Sequence, residues 1–595
     1  MSKTLQTAEI KPEIALKGIP ASPGIAIGPV YLYSEPTLVP EMRLVPDTAI
    51  KSEINRFQKA ISSGKKSLEK IAEQTFKYYG KDSAEIIQTQ IDILEDRIFL
   101  GEVEQLIKEN NYDAAYATYK VFQSKKEHFL KFSDEYFRER AFDVQSLKRL
   151  ILREMLGKKI AHNVTENSIV IADTVSPADT IRLHHQNILG FCTNVGGKNS
   201  HTAIVARSLG VPAVVGTEFV TDVVKADDQL ILDGNEGVII VNPGKETIRE
   251  YQEKQKNFLT LEESYLKDAH EPAFTIDKHL ITVMGNVEFV EELDQFKKSG
   301  AEGIGLYRTE GLFLGGNGLP TEDSQTENYL KFAETLRPNT VVIRTLDIGG
   351  DKLLPDIVGI PERNPFLGWR AIRFCLDHKE IFLPQLKAIL RANVHGNIQI
   401  LLPMVSALEE IRQFKAVFAE AQDILNKEGK KYNPNIEFGM MVEIPSAAIL
   451  ADAFAGEVDF FSIGTNDLVQ YTLAVDRANE KISRLYNHFH PALLELIKKV
   501  IDVGKQTNTP VSMCGEMAGD PVAVPLLIGM GLTIFSAAQI VIPEIKNVIR
   551  HLSREDCLKL YQKSKKLKTA TEIQKLCEDF YQKLKLRIHQ QNSRN

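Results

Sequence analysis

The feature that most constrains this fold is a regular alternation of short apolar runs and helical segments from about residue 273 to the end. Eight runs have the apolar composition of buried strands, and amphipathic helical stretches separate most of them. The runs cover 280–286, 302–307, 340–347, 398–405, 436–444, 458–464, 510–516 and 531–537. Eight successive βα units predict a TIM (β/α)8 barrel over residues 273–595, with its chemistry at the C-terminal ends of the strands.

Polar residues stand at those predicted strand ends. They are Asn286, Arg308, Arg344, Asp347, Glu443, Asn466, Asp467, Cys514 and Glu516. Side chains that fill a barrel are mostly branched and apolar, so a polar residue at most of the strand ends indicates a functional site at this mouth.

The arginines indicate an anionic ligand. Arg308 and Arg344 end two strands, and Arg370, in NPFLGWRAIR, and Arg477, in VDRANE, can add to them. A guanidinium group binds phosphate or carboxylate through two parallel hydrogen bonds. For any one of these arginines, a surface salt bridge is the plainer interpretation.

Glu443 and Asp467 end neighbouring predicted strands and supply hard oxygen ligands. Two carboxylates with phosphate oxygens and water make a typical Mg²⁺ site. A general acid–base pair is the alternative, and the arginines favour the metal because they imply an anionic substrate. Cys514, in SMCGEMAG, can exchange a proton with that substrate, or it is a buried and inert thiol.

A second candidate site lies in GGKNSHTAIVARS, residues 196–208. Ser200 is a suitable N-cap, so His201 falls in the first turn of a short amphipathic helix that ends near Gly210. A helix N-terminus favours a bound anion and a neutral imidazole, and a neutral imidazole is a nucleophile. The pattern fits a histidine that carries a phosphoryl group, although a capping or packed histidine is the alternative.

In the N-terminal half, sequence typical of β-strands lies on both sides of a helical block. No proline occurs between Pro46 and Pro177, and this stretch predicts about four helices joined by turns near Gly64, Gly80 and Asn110–Asn111. The block is either a plain spacer or a docking module. We therefore predict an α/β domain (1–44 and 156–242), an inserted helical-hairpin domain (45–155), a linker helix (243–272) and the barrel (273–595).

Composition excludes several classes of protein. The 595-residue chain has a formal net charge of −7, so it lacks the basic footprint of a nucleic-acid-binding protein. It has no apolar run long enough for membrane insertion and no signal-peptide core. Five scattered cysteines without CxxC spacing indicate a reduced, cytoplasmic protein.

Together these motifs resemble enzyme I of the bacterial phosphoenolpyruvate-dependent sugar phosphotransferase system. The resemblance runs from about residue 17 to the C-terminus, and its motifs occur in order. They are GIPASPGIAIG, GGKNSHTAIVARSLGVPAVVGT, GIGLYRTE, IRTLDIGGDK, NPFLGWRAIR, MMVEIPSA, IGTNDLVQYTLAVDR and MCGEMAG.

The resemblance implies a swivelling phosphohistidine domain in which phosphoenolpyruvate phosphorylates His201, with Thr180 hydrogen-bonding that histidine. It implies that Glu443 and Asp467 bind Mg²⁺ and that Cys514 protonates the enolpyruvate leaving group. It assigns substrate contacts to Arg308, Arg344, Asn466 and Arg477. We predict substrate contacts for Arg370 and Asp467 as well. The helical domain would dock the small carrier protein HPr, and the barrel would form a homodimer.

Two rival classes remain. Pyruvate phosphate dikinase and phosphoenolpyruvate synthase share the histidine domain and the barrel, but they need an ATP-binding domain for which this chain has no P-loop motif. A regulatory scaffold without activity would have lost some of the key residues, and His201, the arginines and both carboxylates are present.

Overall fold

The computed structural model describes most of the chain. The described residues are 12–33, 39–79, 81–130, 135–156, 166–175, 187–196, 210–226, 228–314, 319–349, 367–476 and 485–592, with Leu183, Ala203, Ala206 and Ile482. The chain forms two compact units, residues 1–261 and 262–595. None of the helices in the described ranges is both long and apolar enough to cross a bilayer.

The first unit contains an eight-stranded mixed sheet in the order β1-β8-β7-β3-β4-β5-β6-β2. The strands are β1 (Ile14–Lys17), β2 (Ile19–Ser22), β3 (Ile25–Leu32), β4 (Ile169–Ala172), β5 (Gly190–Thr193), β6 (Ala213–Val215), β7 (Gln229–Asp233) and β8 (Val238–Val241). Strands β3 to β6 run parallel, and every residue of β4, β5 and β6 is buried. A helix α6 (Val220–Val223) follows β6.

The helical block is inserted between two neighbouring parallel strands, because β3 and β4 pair with Val30 opposite Ile169. It contains α1 (Ile50–Tyr79), α2 (Lys81–Glu95), α3 (Arg97–Asn110), α4 (Ala114–Leu130) and α5 (Glu135–Leu156). Its buried face includes Phe57, Val103, Phe122 and Ile151, which form a core of its own. The predicted insertion is confirmed.

The predicted turn at Gly64 is wrong, because α1 continues through it. A Cβ atom at Gly64 would lie 2.7 Å from Ile151 Cδ1, so the glycine lets α5 approach α1 closely. The turn at Asn110–Asn111 is present: α3 ends at Asn110, and Asn111 has a left-handed φ of 53°. Gly80 lies outside the described residues.

A long helix, α7 (Lys245–Lys267), follows the sheet. Ile248 and Tyr251 on its first turns pack against Ile25, Ile231 and Ile240. The structure thus has a helix inside the predicted linker, while the domain boundaries given above stay a prediction.

The second unit contains the predicted barrel. After a short β9 (Ala273–Phe274), eight parallel strands form a ring that closes between β10 and β11. They are β10 (Leu280–Val287), β11 (Ile304–Tyr307), β12 (Val341–Arg344), β13 (Ile398–Leu402), β14 (Glu437–Val442), β15 (Phe461–Ile463), β16 (Val511–Met513) and β17 (Ile534–Ala538). All eight predicted strands are confirmed, most of them shorter than the apolar runs.

Helices surround the barrel. They are α8 (Leu293–Ser299), α9 (Glu310–Leu314), α10 (Glu322–Leu336), α11 (Ile372–Asp377), α12 (Lys379–Ala392), α13 (Leu408–Lys427), α14 (Pro445–Ile449), α15 (Ala451–Phe454), α16 (Thr465–Leu473), α17 (Pro491–Thr507), α18 (Val524–Met530), α19 (Ile542–Arg550), α20 (Arg554–Ser564) and α21 (Ala570–Asn592). A large apolar core lies between the strands and these helices. A smaller cluster of Leu306, Val342, Leu401, Met441, Phe460 and Cys514 is separate from it.

Candidate active site at the barrel mouth

The barrel collects most of the predicted site residues at the C-terminal ends of its strands. Arg308 follows β11, Arg344 ends β12, Glu443 follows β14 and Cys514 follows β16. Asn466 and Asp467 lie in the first turn of α16, just after β15. Since all eight strands are parallel, these ends share one edge of the barrel.

Arg344 is buried among carboxylates. Its Nη2 donates to Glu310 Oε1 at 2.6 Å, and its Nη1 lies 3.2 Å from Asp347 Oδ2. The same Glu310 oxygen accepts a hydrogen bond from the backbone N–H of Asp347. The sequence analysis did not single out Glu310. The one signal for it was an acidic residue two positions after Arg308 that opens a helix of otherwise apolar residues.

Arg370 joins this cluster from a more distant segment. Its Nη2 donates to both oxygens of Asp347 at 2.9 Å, and its Nη1 lies 3.7 Å from Asp467 Oδ1. A β-bridge to Gly349 places the Arg370 backbone. Gly349 has a φ of 126°, and a Cβ atom there would lie 2.3 Å from Trp369 O, so the close approach requires glycine.

Glu443 is almost fully buried and is held by the backbone. The N–H of Met404 donates to Glu443 Oε1 at 2.6 Å, and Met404 has a left-handed φ of 58° that is uncommon for a non-glycine residue. Burial raises the pKa of Glu443, and the charges of Asp467 and Asp347 raise it further, while Arg344 and Arg370 oppose the shift. A cation between Glu443 and Asp467 would relieve that repulsion.

The donor set fits a magnesium ion only with help from other oxygens. Within the described ranges, no three His, Cys, Asp or Glu side chains converge to hold a metal ion. Glu443 and Asp467 offer hard carboxylate oxygens, and Mg²⁺ commonly takes one or two protein carboxylates while substrate phosphates and water complete its shell.

Cys514 is buried and hydrogen-bonded. Ser462 Oγ donates to Cys514 Sγ at 3.2 Å, and the amide of Asn286 donates to the Cys514 carbonyl at 3.2 Å. Burial raises the pKa of the Cys514 thiol, although the hydrogen bond from Ser462 acts in the opposite direction. The thiol therefore keeps its proton at neutral pH.

Two further predicted residues, Arg308 and Asn466, have other partners than the buried arginine cluster has. Arg308 is half-buried. Burial raises the pKa of Glu292, and the positive charge of Arg308 opposes part of that shift. The side chain of Asn466 pairs with Glu516: its Nδ2 donates to Oε1, and its Oδ1 accepts from the Glu516 N–H. Glu516 thus fixes the orientation of the Asn466 amide.

Three predicted residues, His201, Thr180 and Arg477, lie outside the described residues. The helix predicted after Ser200 is described only at Ala203 and Ala206, which are helical and fully buried.

The chain combines a parallel barrel that has a charged mouth with an α/β domain that has a helical insert. Family models identify this architecture as that of a PEP-utilising enzyme. Three family models match in this order: "PEP-utilising enzyme, N-terminal" over residues 17–140, "PEP-utilising enzyme, mobile domain" over 164–237 and "PEP-utilising enzyme, PEP-binding domain" over 262–554. The last of these contains the barrel and its mouth.

Relatives narrow this class to one family. The chain is 42% identical to the phosphoenolpyruvate-protein phosphotransferase of Staphylococcus carnosus over 567 residues, which covers 95% of this chain and 99% of that protein. It is 41% identical to the Bacillus subtilis protein of that name over 94% of this chain and 98% of the relative. The Haemophilus influenzae protein is 41% identical over 95% and 99%. The chain belongs to the phosphoenolpyruvate-protein phosphotransferase family.

Proposed function

We propose that this chain transfers the phosphoryl group of phosphoenolpyruvate to its own His201 and then to the carrier protein HPr, as the first step of the sugar phosphotransferase system. The observation that carries the proposal is the buried cluster of Arg344, Asp347 and Arg370 beside Glu443 and Asp467. The two guanidinium groups of this cluster, together with a metal ion on Glu443 and Asp467, would neutralise a small, multiply charged anion in a site of low dielectric constant.

The arginines would bind and orient the substrate. Arg308, Arg344, Arg370 and Arg477, with Asn466, would contact its phosphate and carboxylate groups. Glu310 and Asp347 hold Arg344 and Arg370 in place before substrate arrives. Preorganised positive charge of this kind stabilises the charge that develops during phosphoryl transfer.

Glu443 and Asp467 would hold Mg²⁺. When bound, the ion neutralises charge on the transferring phosphoryl group. Asp467 also faces Arg370, whose Nη1 lies 3.7 Å from Asp467 Oδ1.

The transfer step forms a bond between an imidazole nitrogen of His201 and phosphorus, and it breaks the bond between phosphorus and the enol oxygen. The enolate of pyruvate is left behind. Its C3 then takes the proton of the Cys514 thiol and becomes the methyl group of pyruvate, and solvent later reprotonates the thiolate. Thr180 would hydrogen-bond His201, and the phosphoryl group would pass from His201 to HPr.

The proposal also covers the protein partner, the oligomeric state and the cellular compartment. The helical domain would dock HPr, the barrel would form a homodimer, and the protein would act in the cytoplasm. The five cysteines are all buried and free of disulfide bonds, which agrees with a reducing compartment.

The decisive experiment is incubation of the full chain with labelled phosphoenolpyruvate and Mg²⁺, without nucleotide, followed by mapping of the labelled residue. We expect label on His201 and its transfer to added HPr. His201→Ala should abolish labelling while phosphoenolpyruvate still binds, and His270→Ala, at an exposed position, should label normally. Labelling that requires ATP, or label on another residue, would overturn the proposal.

A further inference from the structure

Gln385 on α12 is a fully buried polar side chain, and both the oxygen and the nitrogen of its amide form hydrogen bonds. Its Oε1 accepts a hydrogen bond from the Leu346 N–H at 3.0 Å. Its Nε2 donates to Thr309 Oγ1 at 3.2 Å and lies 3.4 Å from the hydroxyl of Tyr329. A buried amide is costly unless its groups are paired, and here the amide pairs with the ends of two barrel strands.

The two bonded segments carry the arginines of the mouth. Thr309 directly follows Arg308, and its hydroxyl donates to the carbonyl of Arg344 at 3.0 Å. The Thr309 hydroxyl therefore accepts from Gln385 and donates to Arg344. Leu346 lies two residues after Arg344. One glutamine amide thus joins the chain just beyond β11 to the chain just beyond β12.

Other bonds hold the segment from Arg344 to Asp347 on its remaining sides. The Cys375 thiol donates to the Leu346 carbonyl at 3.4 Å, and the Thr345 N–H donates to the Leu401 carbonyl at 2.9 Å. Glu310 accepts from both ends of the segment, from Arg344 and from the Asp347 N–H. Thr309 and Glu310 thus tie this segment directly to the Arg308 end of β11, and Gln385 adds a bridge between the two from a separate helix, α12.

We infer that Gln385 is a positioning residue that fixes the placement of Arg344 relative to Arg308. The inference rests on the proposed function, in which these two arginines bind the same phosphoenolpyruvate molecule. Recognition of one anion by two guanidinium groups tolerates little displacement, and misplacement of a binding group by about 1 Å can cost 10²-fold in rate. Gln385 acts from behind the sheet and does not touch substrate.

The test is the dissociation constant of phosphoenolpyruvate, measured by titration calorimetry in the full chain with Mg²⁺ and His201→Ala to prevent turnover. Gln385→Met keeps the volume of the side chain but removes its hydrogen bonds. We expect the dissociation constant to rise about 10-fold. Thr309→Val, which removes only the hydroxyl between Gln385 and Arg344, should raise it by a smaller factor, and Thr309→Ser should restore it.

Tyr329→Phe is the matched control. It removes a buried hydroxyl that contacts Gln385 and Gln325 but leaves the bonds from Gln385 to the strand ends in place. We expect a lower melting temperature with an unchanged dissociation constant.

The outcomes separate the inference from the proposed function. If phosphoenolpyruvate does not bind to the parent protein, the proposed function fails. If it binds equally well to the parent protein and to the Gln385→Met and Thr309→Val variants, the inference alone fails. A loss of affinity in Tyr329→Phe as large as that in Gln385→Met also overturns the inference, because the effect is then one of general stability. Should Gln385→Met not fold, the comparison of Thr309→Val with Thr309→Ser decides the matter.

Discussion

Asp347 binds Arg370 side-on in the interior of the barrel mouth: the Nε and Nη2 atoms of the arginine both donate to the aspartate carboxylate, at distances between 2.9 and 3.1 Å. The two residues are 23 positions apart and both are buried. A second arginine, Arg344, lies within ion-pair distance of the same carboxylate. Asp347 therefore compensates two buried positive charges at once.

We expect Asp347→Ala to lower the free energy of unfolding of the barrel by about 3 kcal/mol, because removing one partner leaves buried charge poorly compensated. Urea unfolding followed by the fluorescence of Trp369, the single tryptophan of the chain, measures this. Asp452→Ala, at an exposed position on α15, is the control and should change stability by less than about 0.5 kcal/mol. Similar losses in both variants would contradict the role of Asp347.

Glu443→Gln should raise the Mg²⁺ concentration needed for phosphoryl transfer and lower the transfer rate by about 10²-fold or more, since a charged metal ligand is lost. The substitution keeps an oxygen for the Met404 N–H, so the fold should persist. The measurement is initial labelling rate against Mg²⁺ concentration. Glu437→Gln, at the exposed opposite end of β14, should behave like the parent protein. Full activity of Glu443→Gln at low Mg²⁺ would refute the metal assignment.

Cys514→Ser should still bind phosphoenolpyruvate and phosphorylate His201 at a reduced rate, because the phosphoryl group itself does not pass through the thiol. A serine hydroxyl is a far weaker acid, so directed protonation of the enolate should fail. Stereospecifically labelled phosphoenolpyruvate shows this as pyruvate with a scrambled methyl group. Cys557→Ala, a buried thiol on α20, is the control. Stereospecific product from Cys514→Ser would assign the acid to another group.

Glu322, in the first turn of α10, should give the barrel a stability that depends on pH. Burial alone would raise the pKa of Glu322 above 4.5, but hydrogen bonds from Lys387, Lys430 and Arg391 outweigh it and lower the pKa to about 2. A carboxyl group whose pKa is lower in the folded state stabilises the fold fully above the unfolded value of 4.5, and this contribution is lost as the pH falls toward 2.

Glu322→Gln should therefore destabilise the barrel by about 1–2 kcal/mol at pH 7, a range that allows for solvent screening of this partly exposed cluster. The difference from the parent protein should shrink between about pH 4.5 and pH 2. Urea unfolding at several pH values is the measurement. Glu420→Gln removes the partner of Lys379 in an exposed ion pair and should have a small effect. A difference that stays constant across this range would contradict the assigned linkage.

The barrel was predictable because local patterns encode it. Strands of a parallel sheet are buried on both faces, so they read as short apolar runs, and each crossover helix has its own amphipathic period. The same order along the chain puts the last residue of every strand at one edge, which is why Arg344, Glu443 and Cys514 were expected near one another. The insertion of the helical block followed from strand-like sequence on both sides of it.

The contacts that hold those residues were not predictable. Asp347 reaches Arg370 across 23 positions, Glu310 reaches Arg344 across 34, and Gln385 reaches Thr309 across 76. Gly64, which as sequence indicated a turn, instead permits two helices to pack closely. The sequence by itself determined the elements, their order and the chemical types at the strand ends, because these depend on local periodicity and composition. Only the tertiary structure decided which carboxylate meets which arginine and which buried amide joins two strands, because those pairings depend on distances that form when separate segments pack together.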